Sequence, residues 1–200
     1  MVRSQPSSGG EHMSHQAITR FDVRGGMLAA LLLTSIAVPA ALGIDSAKSK
    51  VTATFKQMNV PVEGVFTKAG GSIQFDAAKP EAASASIQID TAGFDLGMED
   101  YNAEVRKKEW FDSKAHPQAT FVSTGFKALG AERYQASGKL SIKGKSIDIS
   151  VPVTVKREAA ATVFTGALPV SRKIFGIGDA GWNEVVDDAV TVNFRIVQPQ

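Results

Sequence analysis

The chain contains few residue types that could perform catalysis. Its 200 residues include no cysteine and three histidines, His12, His15 and His116. The lack of cysteine excludes a thiol nucleophile, a thiolate metal site and a lipidated cysteine. His116 precedes Pro117, a setting more typical of a loop residue than of a catalytic base. No Gly-x-Ser-x-Gly sequence is present to form the nucleophile elbow of a serine hydrolase.

A second kind of catalytic centre could be built from carboxylates. Five of them crowd one charged segment: Glu99, Asp100, Glu104, Glu109 and Asp112. A glycosidase-like site would need two of these side chains to converge in a pocket. On a helix, however, Asp100 lies one turn before Glu104, and Glu104 one turn before Lys108. This spacing is typical of a solvated helix face with charge pairing, so a hydrolase is the less favoured hypothesis.

A glycine pattern at 176–181 matches the dinucleotide-binding sequence G-x-G-x-x-G letter for letter. That site requires the glycines to lie between a strand and a helix, where the helix N-terminus meets the pyrophosphate. Here the pattern is followed by Trp182, a polar stretch and then alternating apolar residues. We therefore predict that these glycines form a tight turn of a β-structure and bind no dinucleotide.

The elements that must position any site are strands. Apolar and polar residues alternate with a period of two, which is typical of antiparallel strands with one buried face. The pattern runs through 51–56, 72–76, 84–90, 139–143, 146–156 and 190–196. Glycine- and proline-containing turns separate these runs, and 143–146 is typical of a hairpin. Pro152 predicts an edge, a bulge or a locally open ladder.

One segment breaks the alternation and predicts a helix of about three turns over 98–112, inserted between strands. The predicted fold class is therefore all-β with a short helical insertion. Seven or eight regularly spaced strands favour a barrel or a sandwich, and closure into a barrel would leave no exposed edges.

The N-terminal residues 1–43 have the pattern of a leader. Arg20 and Arg24 precede the apolar run 27–41, which is too short for a comfortable membrane span. We expect cleavage near 40–43, export to the periplasm and a single domain over 44–200. A retained membrane anchor is the alternative. The formal net charge of +2 is not clustered, so we expect no nucleic-acid partner.

Aromatic side chains are abundant for so small a domain. A closed barrel of about eight strands can hold one thin ligand, and apolar walls favour apolar guests. The predicted ligand-lining residues are Phe55, Phe66, Phe75, Trp110, Phe111, Phe121, Phe175 and Trp182. Arg172 is the predicted polar contact, with a salt bridge at the barrel rim as its alternative role. Composition leaves open whether the barrel is hollow or is a filled interaction module.

The chain resembles the YceI-like, polyisoprenoid-binding family over nearly all of 44–200. The matching motifs are Val62-x-Gly64-x-Phe66, Gly71-x-Ile73-x-Phe75-Asp76, Trp110-Phe111-Asp112, Pro117-x-Ala119-Thr120-Phe121, Gly138-x-Leu140-x-Ile142-x-Gly144 and Arg172-x-x-Phe175-Gly176-Ile177-Gly178. The resemblance implies a lipocalin-like, extended eight-stranded antiparallel barrel with an elongated apolar cavity. It implies that this cavity takes an isoprenoid chain, either a quinone tail or a polyprenyl lipid, and that the protein has no catalytic residues and requires no cofactor.

The chain also departs from the family pattern in two places. Many members carry a histidine after the first strand, where this chain has Lys56-Gln57-Met58, and an Arg-Asp-x-His-Leu run where it has Tyr101-Asn102-Ala103-Glu104-Val105. Because these residues lie near the presumed ligand region, the resemblance does not predict which lipid head group the protein prefers. The variant segment 101–112 is similar to that of a subgroup found near membrane b-type cytochromes, which makes such a cytochrome an expected partner. Homodimerisation is a further expectation.

Overall fold

The computed structural model describes residues 41–200, so the apolar run 27–41 lies outside the described residues except for Ala41, whereas residues 41–43 of the expected cleavage region are described. The strands are β1 Leu42–Gly43, β2 Lys50–Gln57, β3 Val60–Phe66, β4 Ala69–Gln74, β5 Ser84–Asp90, β6 Phe94–Asp95, β7 Gln118–Gly130, β8 Arg133–Ile142, β9 Lys145–Glu158, β10 Ala161–Ser171 and β11 Ala189–Pro199, and the α-helix α1 is Glu99–Val105. Short 3-10 turns occupy Pro80–Ala82, Thr91–Gly93 and Ala180–Trp182. Within 41–200, no helix is long and apolar enough to cross a membrane.

The strands form one antiparallel sheet that returns to its starting point. The order of pairing is β1-β4-β5-β7-β8-β9-β10-β11-β2-β3-β6. β3 continues into β4, and β5 continues into β6, and backbone bonds from Thr67 to Gly93 (2.9 Å) and from Asp90 to Lys68 (3.1 Å) hold these two bends together. β3 and β4 thus act as one bent strand. Because this bent strand pairs with β2 through β3 and with β5 through β4, it joins the two ends of the sheet and closes the barrel.

The predicted fold class is confirmed. Eleven strand segments are present, but counting each bent strand once, and leaving aside the two-residue β1, gives the eight strands that were predicted. Closure satisfies the backbone groups that an open sheet would expose at its edges.

Alternation places one face of each strand inside the barrel. Val51, Val153 and Phe164 are buried on three different strands. β7 contains an irregularity between Ser123 and Gly125, where the register against β8 shifts. The extra residue of such a bulge reverses the alternation of side chains along the strand. Two residues separated by an odd number of positions, one on each side of the bulge, can then both face inward.

The excursion 96–117 with α1 and the loop 172–188 lie at one end of the barrel, which we call the loop end, together with the two-residue turns 58–59 and 143–144. The two-residue turns 131–132 and 159–160 and the connection 75–83 lie at the opposite, turn end. Lys143 (φ 47°) and Gly144 (φ 74°) form the two-residue turn of the predicted hairpin, which is confirmed.

The predicted helix over 98–112 is wrong in length. α1 has seven residues, and the chain then folds back through a bond from the Phe111 amide to the Val105 carbonyl (3.0 Å). Trp110 and Phe111 are both buried. A continued helix would separate neighbouring side chains by about 100° around its axis, so leaving the helix lets both rings enter the barrel.

Pro152 marks the end of one ladder, as predicted. Pairing of β9 with β10 runs from Glu158–Ala161 to Val153–Gly166 and includes no residue of β9 before Val153. Pro152 has no amide hydrogen to donate. Between Pro152 and the loop end, β9 and β10 therefore border an unpaired seam in the wall.

Candidate functional site

Two cavities lie inside the barrel of residues 41–200. The loop-end cavity measures about 230 Å³ and the turn-end cavity about 150 Å³. On β2 the turn-end cavity touches Val51, whereas the loop-end cavity touches Ala53 and Phe55. On β11 both cavities touch Val192. The two cavities therefore follow one another along the barrel interior.

Their linings differ in polarity. The turn-end cavity has one polar lining side chain, Thr120, among aliphatic and aromatic residues. The loop-end cavity adds the polar residues Gln57, Tyr101, Glu104 and Arg172. Its aromatic wall consists of Phe55, Phe66, Phe94, Trp110, Phe111 and Trp182. A guest with an apolar chain and one polar end would match this division.

Four half-buried side chains pack against both core clusters of the barrel. They are Phe66, Ile149, Leu168 and Val192. Val192 lines both cavities, Leu168 lines the turn-end cavity and Phe66 the loop-end cavity. We call these four side chains the partition. The interior is therefore not a filled core, because two cavities follow one another along it past these four side chains.

Of the nine predicted site residues, six come together around the loop-end cavity. These are Phe55, Phe66, Trp110, Phe111, Arg172 and Trp182. Phe121 lines the turn-end cavity. Phe75 and Phe175 line neither of these two cavities. The ring of Phe75 packs edge-on against Tyr134 (5.1 Å between centroids) and Phe164 (5.5 Å), while Phe175 is only 1% exposed in the loop-end core.

The salt bridge that was the alternative role of Arg172 does not occur within 41–200, whereas its predicted contact with a ligand stays a prediction. The Arg172 side chain is buried. Its guanidinium instead donates to backbone oxygens of the loop that follows, including Asp187 (3.0 Å), Ile177 (2.8 Å) and Val186 (2.7 Å). Arg172 thus ties loop 172–188 together and brings a positive charge to the cavity wall.

Gly178 makes this arrangement possible. Its backbone has φ +74°, and a Cβ on it would lie 2.7 Å from Nη1 of Arg172 and 3.3 Å from Cζ3 of Trp110. Gly176 (φ 67°) and Gly178 (φ 74°) have the backbone conformation of turn glycines, but they lie in the 17-residue loop 172–188 between β10 and β11, so the predicted tight turn is wrong. No strand–helix junction for a dinucleotide occurs within this loop.

The five carboxylates of the hydrolase hypothesis do not converge. Glu99, Asp100 and Glu109 are exposed, and of the five only Glu104 lines a cavity. Glu104 binds Lys107 at 2.6 Å, and this hydrogen bond raises the pKa of Lys107. The carboxylates lie on a largely solvated surface, as predicted, but Glu104 pairs with Lys107 instead of Lys108, because α1 ends at Val105. These five residues offer no pair of carboxylates for general acid and base chemistry.

The sequence analysis missed Asn102, which fixes α1 over the loop-end cavity. Its Oδ1 accepts from the Leu96 amide (2.7 Å), and its Nδ2 donates to Asp95 (2.9 Å). The hydrogen bond from Asn102 lowers the pKa of the Asp95 carboxyl. Asn102 lies in the segment that departs from the family pattern. Its side chain joins α1 to residues 95 and 96 at the end of β6.

Asp188 and Lys143 flank the loop end. Although partial burial raises the pKa of Asp188, the Lys173 amide and the Ser171 hydroxyl bind its carboxylate and leave that pKa below its usual value. Burial lowers the pKa of Lys143, whose Nζ donates to the Gly176 carbonyl at 2.6 Å. The Asp188 carboxylate and the Lys143 ammonium group both bind residues at or next to loop 172–188, so both hold this loop in position.

The indole nitrogen of Trp110 is a buried donor without a partner. Trp110 is 8% exposed, and among residues 41–200 its Nε1 has no hydrogen-bond acceptor. The ring of Trp182 lies 5.1 Å away, tilted by 60°. An unsatisfied buried donor costs about 1–3 kcal/mol, and native structures contain few of them.

This geometry defines a class of protein: a lipocalin-like antiparallel barrel with an apolar interior that can hold one slender ligand. The comparison with known families agrees. The YceI-like domain matches residues 43–198, and the chain belongs to this family.

Solved structures share the fold. BcnA of Burkholderia cenocepacia is 47% identical, with a TM-score of 0.75 over 77% of this chain and 98% of its own. A polyisoprenoid-binding domain from Saccharophagus degradans is 18% identical, with a TM-score of 0.67 over 80% of this chain and 99% of its own. At that identity the second likeness concerns the fold alone.

Curated relatives share part of the chain. A UPF0312 protein of Azotobacter vinelandii is 35% identical over 92 residues, which is 46% of this chain and 46% of that protein. One from Pseudomonas savastanoi is 28% identical over 126 residues, covering 60% of this chain and 66% of its own. The matches thus span about half to two thirds of the length of these relatives.

Proposed function

We propose that this protein is a periplasmic carrier that holds an isoprenoid lipid, a quinone or a polyprenyl chain, inside its barrel. The observation that carries the proposal is the pair of apolar cavities in line along the barrel interior. The proposed role is binding and transport, with no chemical step, because the only polar groups at the cavities are isolated or already engaged. The polyisoprenoid-binding domain of S. degradans, with the same fold, supports this ligand class.

The energetics favour a repeated apolar chain. Removal of each CH₂-sized group from water contributes about 0.8 kcal/mol, so each five-carbon isoprene unit contributes roughly 4 kcal/mol before ordering costs. Ligand cavities are usually about 300–1,000 Å³. Each cavity here is smaller, at about 230 and 150 Å³. A long isoprenoid therefore needs both cavities, with its chain passing the partition.

The decisive experiment identifies the ligand. Protein exported by a bacterial host would be purified from the periplasm, extracted with organic solvent and examined by mass spectrometry. We expect an isoprenoid lipid in the extract, and saturable quenching of fluorescence when a quinone is added to delipidated protein. Trp110 and Trp182, the only tryptophans of the chain, both line the loop-end cavity, so they report on its occupancy. Extracts free of isoprenoid, together with no quenching, would refute the proposal.

The location and partners are proposed on separate grounds. The leader pattern of 1–43 supports export with cleavage near 40–43, which N-terminal sequencing of the periplasmic protein would test. The likeness of 101–112 to proteins near b-type cytochromes supports a quinone as ligand and such a cytochrome as partner. Affinity capture from solubilised membranes would test the partner, and sedimentation of the pure protein would test homodimerisation.

A further inference from the structure

The seam between β9 and β10 has a proline on each side, Pro152 on β9 and Pro169 on β10. The two-residue turn 159–160 joins these strands, and Glu158 pairs with Ala161 at its base. Such a closing pair exchanges backbone hydrogen bonds, and beyond it every second amide of each strand points at the other strand. The amide positions of both prolines therefore point into the seam.

Bonds to the outer neighbours of the two strands agree with this direction. The amide of Val155 donates to the Glu132 carbonyl beside β8 (2.9 Å), so the odd-numbered amides of β9 face β8 and the even-numbered ones face β10. The amide of Arg172 donates to the Asp188 carbonyl beside β11 (3.0 Å), so the even-numbered amides of β10 face β11 and the odd-numbered ones face β9. Because proline has no amide hydrogen, each strand lacks a donor that would bridge the seam.

The seam borders both cavities and has little cover on its outer side. Ile149 of β9 and Leu168 of β10 line the turn-end cavity, and Val170 of β10 lines the loop-end cavity. The outward side chains along the seam are small and exposed: Ser150, Pro152, Ala167 and Pro169. Separation of β9 from β10 would therefore connect the outside of the barrel with either cavity.

Both ends of the barrel, in contrast, are held by hydrogen bonds or packed rings. At the loop end, the guanidinium of Arg172 ties loop 172–188 together through its backbone oxygens. At the turn end, the ring of Phe75 packs edge-on against Tyr134 (5.1 Å between centroids) and Phe164 (5.5 Å). Opening either end breaks such contacts, whereas parting β9 from β10 along the seam breaks no ladder bond.

We propose that the seam is a lateral portal through which the apolar chain of the ligand enters and leaves the barrel sideways. A long chain can pass a slit along its whole length, whereas entry at an end requires threading past the partition. The two prolines keep the slit from closing into a continuous ladder, and they also disfavour addition of a partner's strand to its edges. This inference rests on the proposed function and adds the route by which the ligand exchanges.

A covalent bridge across the seam tests the portal. The chain contains no cysteine, so Ser150→Cys combined with Ala167→Cys provides two thiols, one on each side of the seam. Dibromobimane joins neighbouring thiols and becomes fluorescent once both have reacted, so the extent of bridging is measured directly. The matched control is Ser137→Cys combined with Ser150→Cys, which bridges the paired strands β8 and β9, where the two serine Oγ atoms lie 3.1 Å apart.

The probe is ubiquinone-2, whose entry is followed by stopped-flow quenching of tryptophan fluorescence and whose release is followed after mixing with excess phosphatidylcholine vesicles. We expect the seam bridge to slow entry and release about tenfold each while Kd stays within twofold, because a portal affects the path and not the bound state. The control bridge should leave both rates within twofold of those of the unbridged protein. Unchanged rates in the seam-bridged protein, or equal slowing by both bridges, would overturn the inference.

Restoring the missing donors gives a second, non-covalent test. Pro152→Thr combined with Pro169→Thr adds an amide hydrogen on each side of the seam, so we expect the ladder to extend and both rates to fall about tenfold. Pro61→Thr, on β3 and outside the seam, is the control. Slow hydrogen exchange of the two new amides shows that the ladder has extended, and wild-type rates in that protein would also count against the portal.

The same measurements separate the portal from the proposed function. Wild-type protein that does not bind ubiquinone-2 at all would refute the carrier function. Tight binding with exchange rates that neither the seam bridge nor the threonine variant changes would refute the portal alone.

Discussion

At the residue scale, Arg172 shows how one side chain can hold a whole loop in place through hydrogen bonds to its backbone. The sequence predicts that Arg172 binds an oxygen of the ligand or a carboxylate at the barrel rim. It cannot reveal that its partners within 41–200 are mostly backbone oxygens of the following loop, since this depends on how 172–188 folds back. The five donors of a guanidinium are arranged as a planar fork, which a lysine cannot reproduce.

We therefore predict that Arg172→Lys destabilises the protein despite conserving the charge. Replacing the fork leaves several carbonyls without donors, and we expect a loss of about 2–4 kcal/mol in the free energy of unfolding. Urea denaturation monitored by tryptophan fluorescence would measure it. Lys173→Arg, at the exposed neighbouring position, is the control. A lysine variant as stable as the wild type would contradict the assigned role.

Ser113 and Thr91 make a matched pair of buried hydroxyls. Ser113 Oγ has no partner among residues 41–200, whereas Thr91 Oγ1 donates to the His116 carbonyl at 2.8 Å. Ser113→Ala should leave stability unchanged or raise it by up to about 1 kcal/mol, because it removes an unsatisfied polar group. Thr91→Val should cost about 1–2 kcal/mol.

Thermal unfolding of the two variants beside the wild type tests this pair. The informative quantity is the difference in stability between Ser113→Ala and Thr91→Val, with Ser113→Ala expected to be the more stable. If Ser113→Ala lost as much stability as Thr91→Val, the Ser113 hydroxyl would have a partner in solution, such as a buried water.

At the element scale, phenylalanines of neighbouring strands cover glycines. A Cβ on Gly166 would lie 2.5 Å from the Phe194 ring, one on Gly138 2.7 Å from Phe121, and one on Gly64 2.3 Å from Phe94. Each glycine leaves room for a ring to lie flat across its strand. This explains why these glycines occur inside alternating runs, where the loss of conformational entropy would otherwise disfavour them.

Gly166→Ala should therefore destabilise the barrel by about 2–3 kcal/mol, as overpacking does, because the methyl group would meet both the Phe194 ring and the Pro152 carbonyl oxygen, each at 2.5 Å, and it should displace Phe194 from the turn-end cavity. Gly125→Ala is the control, since Gly125 lies in β7 with nothing within 4 Å of its added Cβ. Chemical denaturation compares their stabilities. Equal stability of the two variants would show that the ring does not hold its place over Gly166.

The elements also show what the sequence could and could not reveal. Strand alternation and the turn at 143–144 were predictable, because both follow from local residue chemistry. The bulge in β7 was not, since it places Phe121 and Phe126 on one face although five positions separate them. The end of α1 at Val105 was also hidden, because burial of Trp110 and Phe111 overrides local helix propensity.

At the scale of the whole molecule, the two ends of the barrel differ in connections and in cavity lining. The loop end combines α1 and the loop 172–188 with the polar residues of its cavity, and the turn-end cavity is almost wholly apolar. The sequence predicted aromatic lining, and the family resemblance implied a hollow interior. Neither could show two cavities instead of one, because the partition arises from side chains of four strands that meet only in the closed barrel.

The partition should decide how long a tail the barrel holds. Ile149 of β9 and Leu168 of β10 are two of its four members, and they lie in the stretch where β9 and β10 do not pair with each other. The strands can separate there without breaking ladder bonds, so a passing chain meets little backbone resistance. Leu168→Ala should join the cavities, and Leu168→Phe should seal them.

We predict that Leu168→Ala improves binding of a long-tailed ubiquinone relative to a short-tailed one by about tenfold, and that Leu168→Phe shifts the ratio the other way. The alanine variant should also lose about 2–3 kcal/mol of stability from the cavity it creates, so stability and tail preference move in opposite directions. Leu129→Ala, at an exposed site on β7, should leave the ratio unchanged. The ratio of dissociation constants for the two quinones is the measurement. If it were the same in all four proteins, the tail would not pass between the cavities, and the ligand would occupy the loop-end cavity alone.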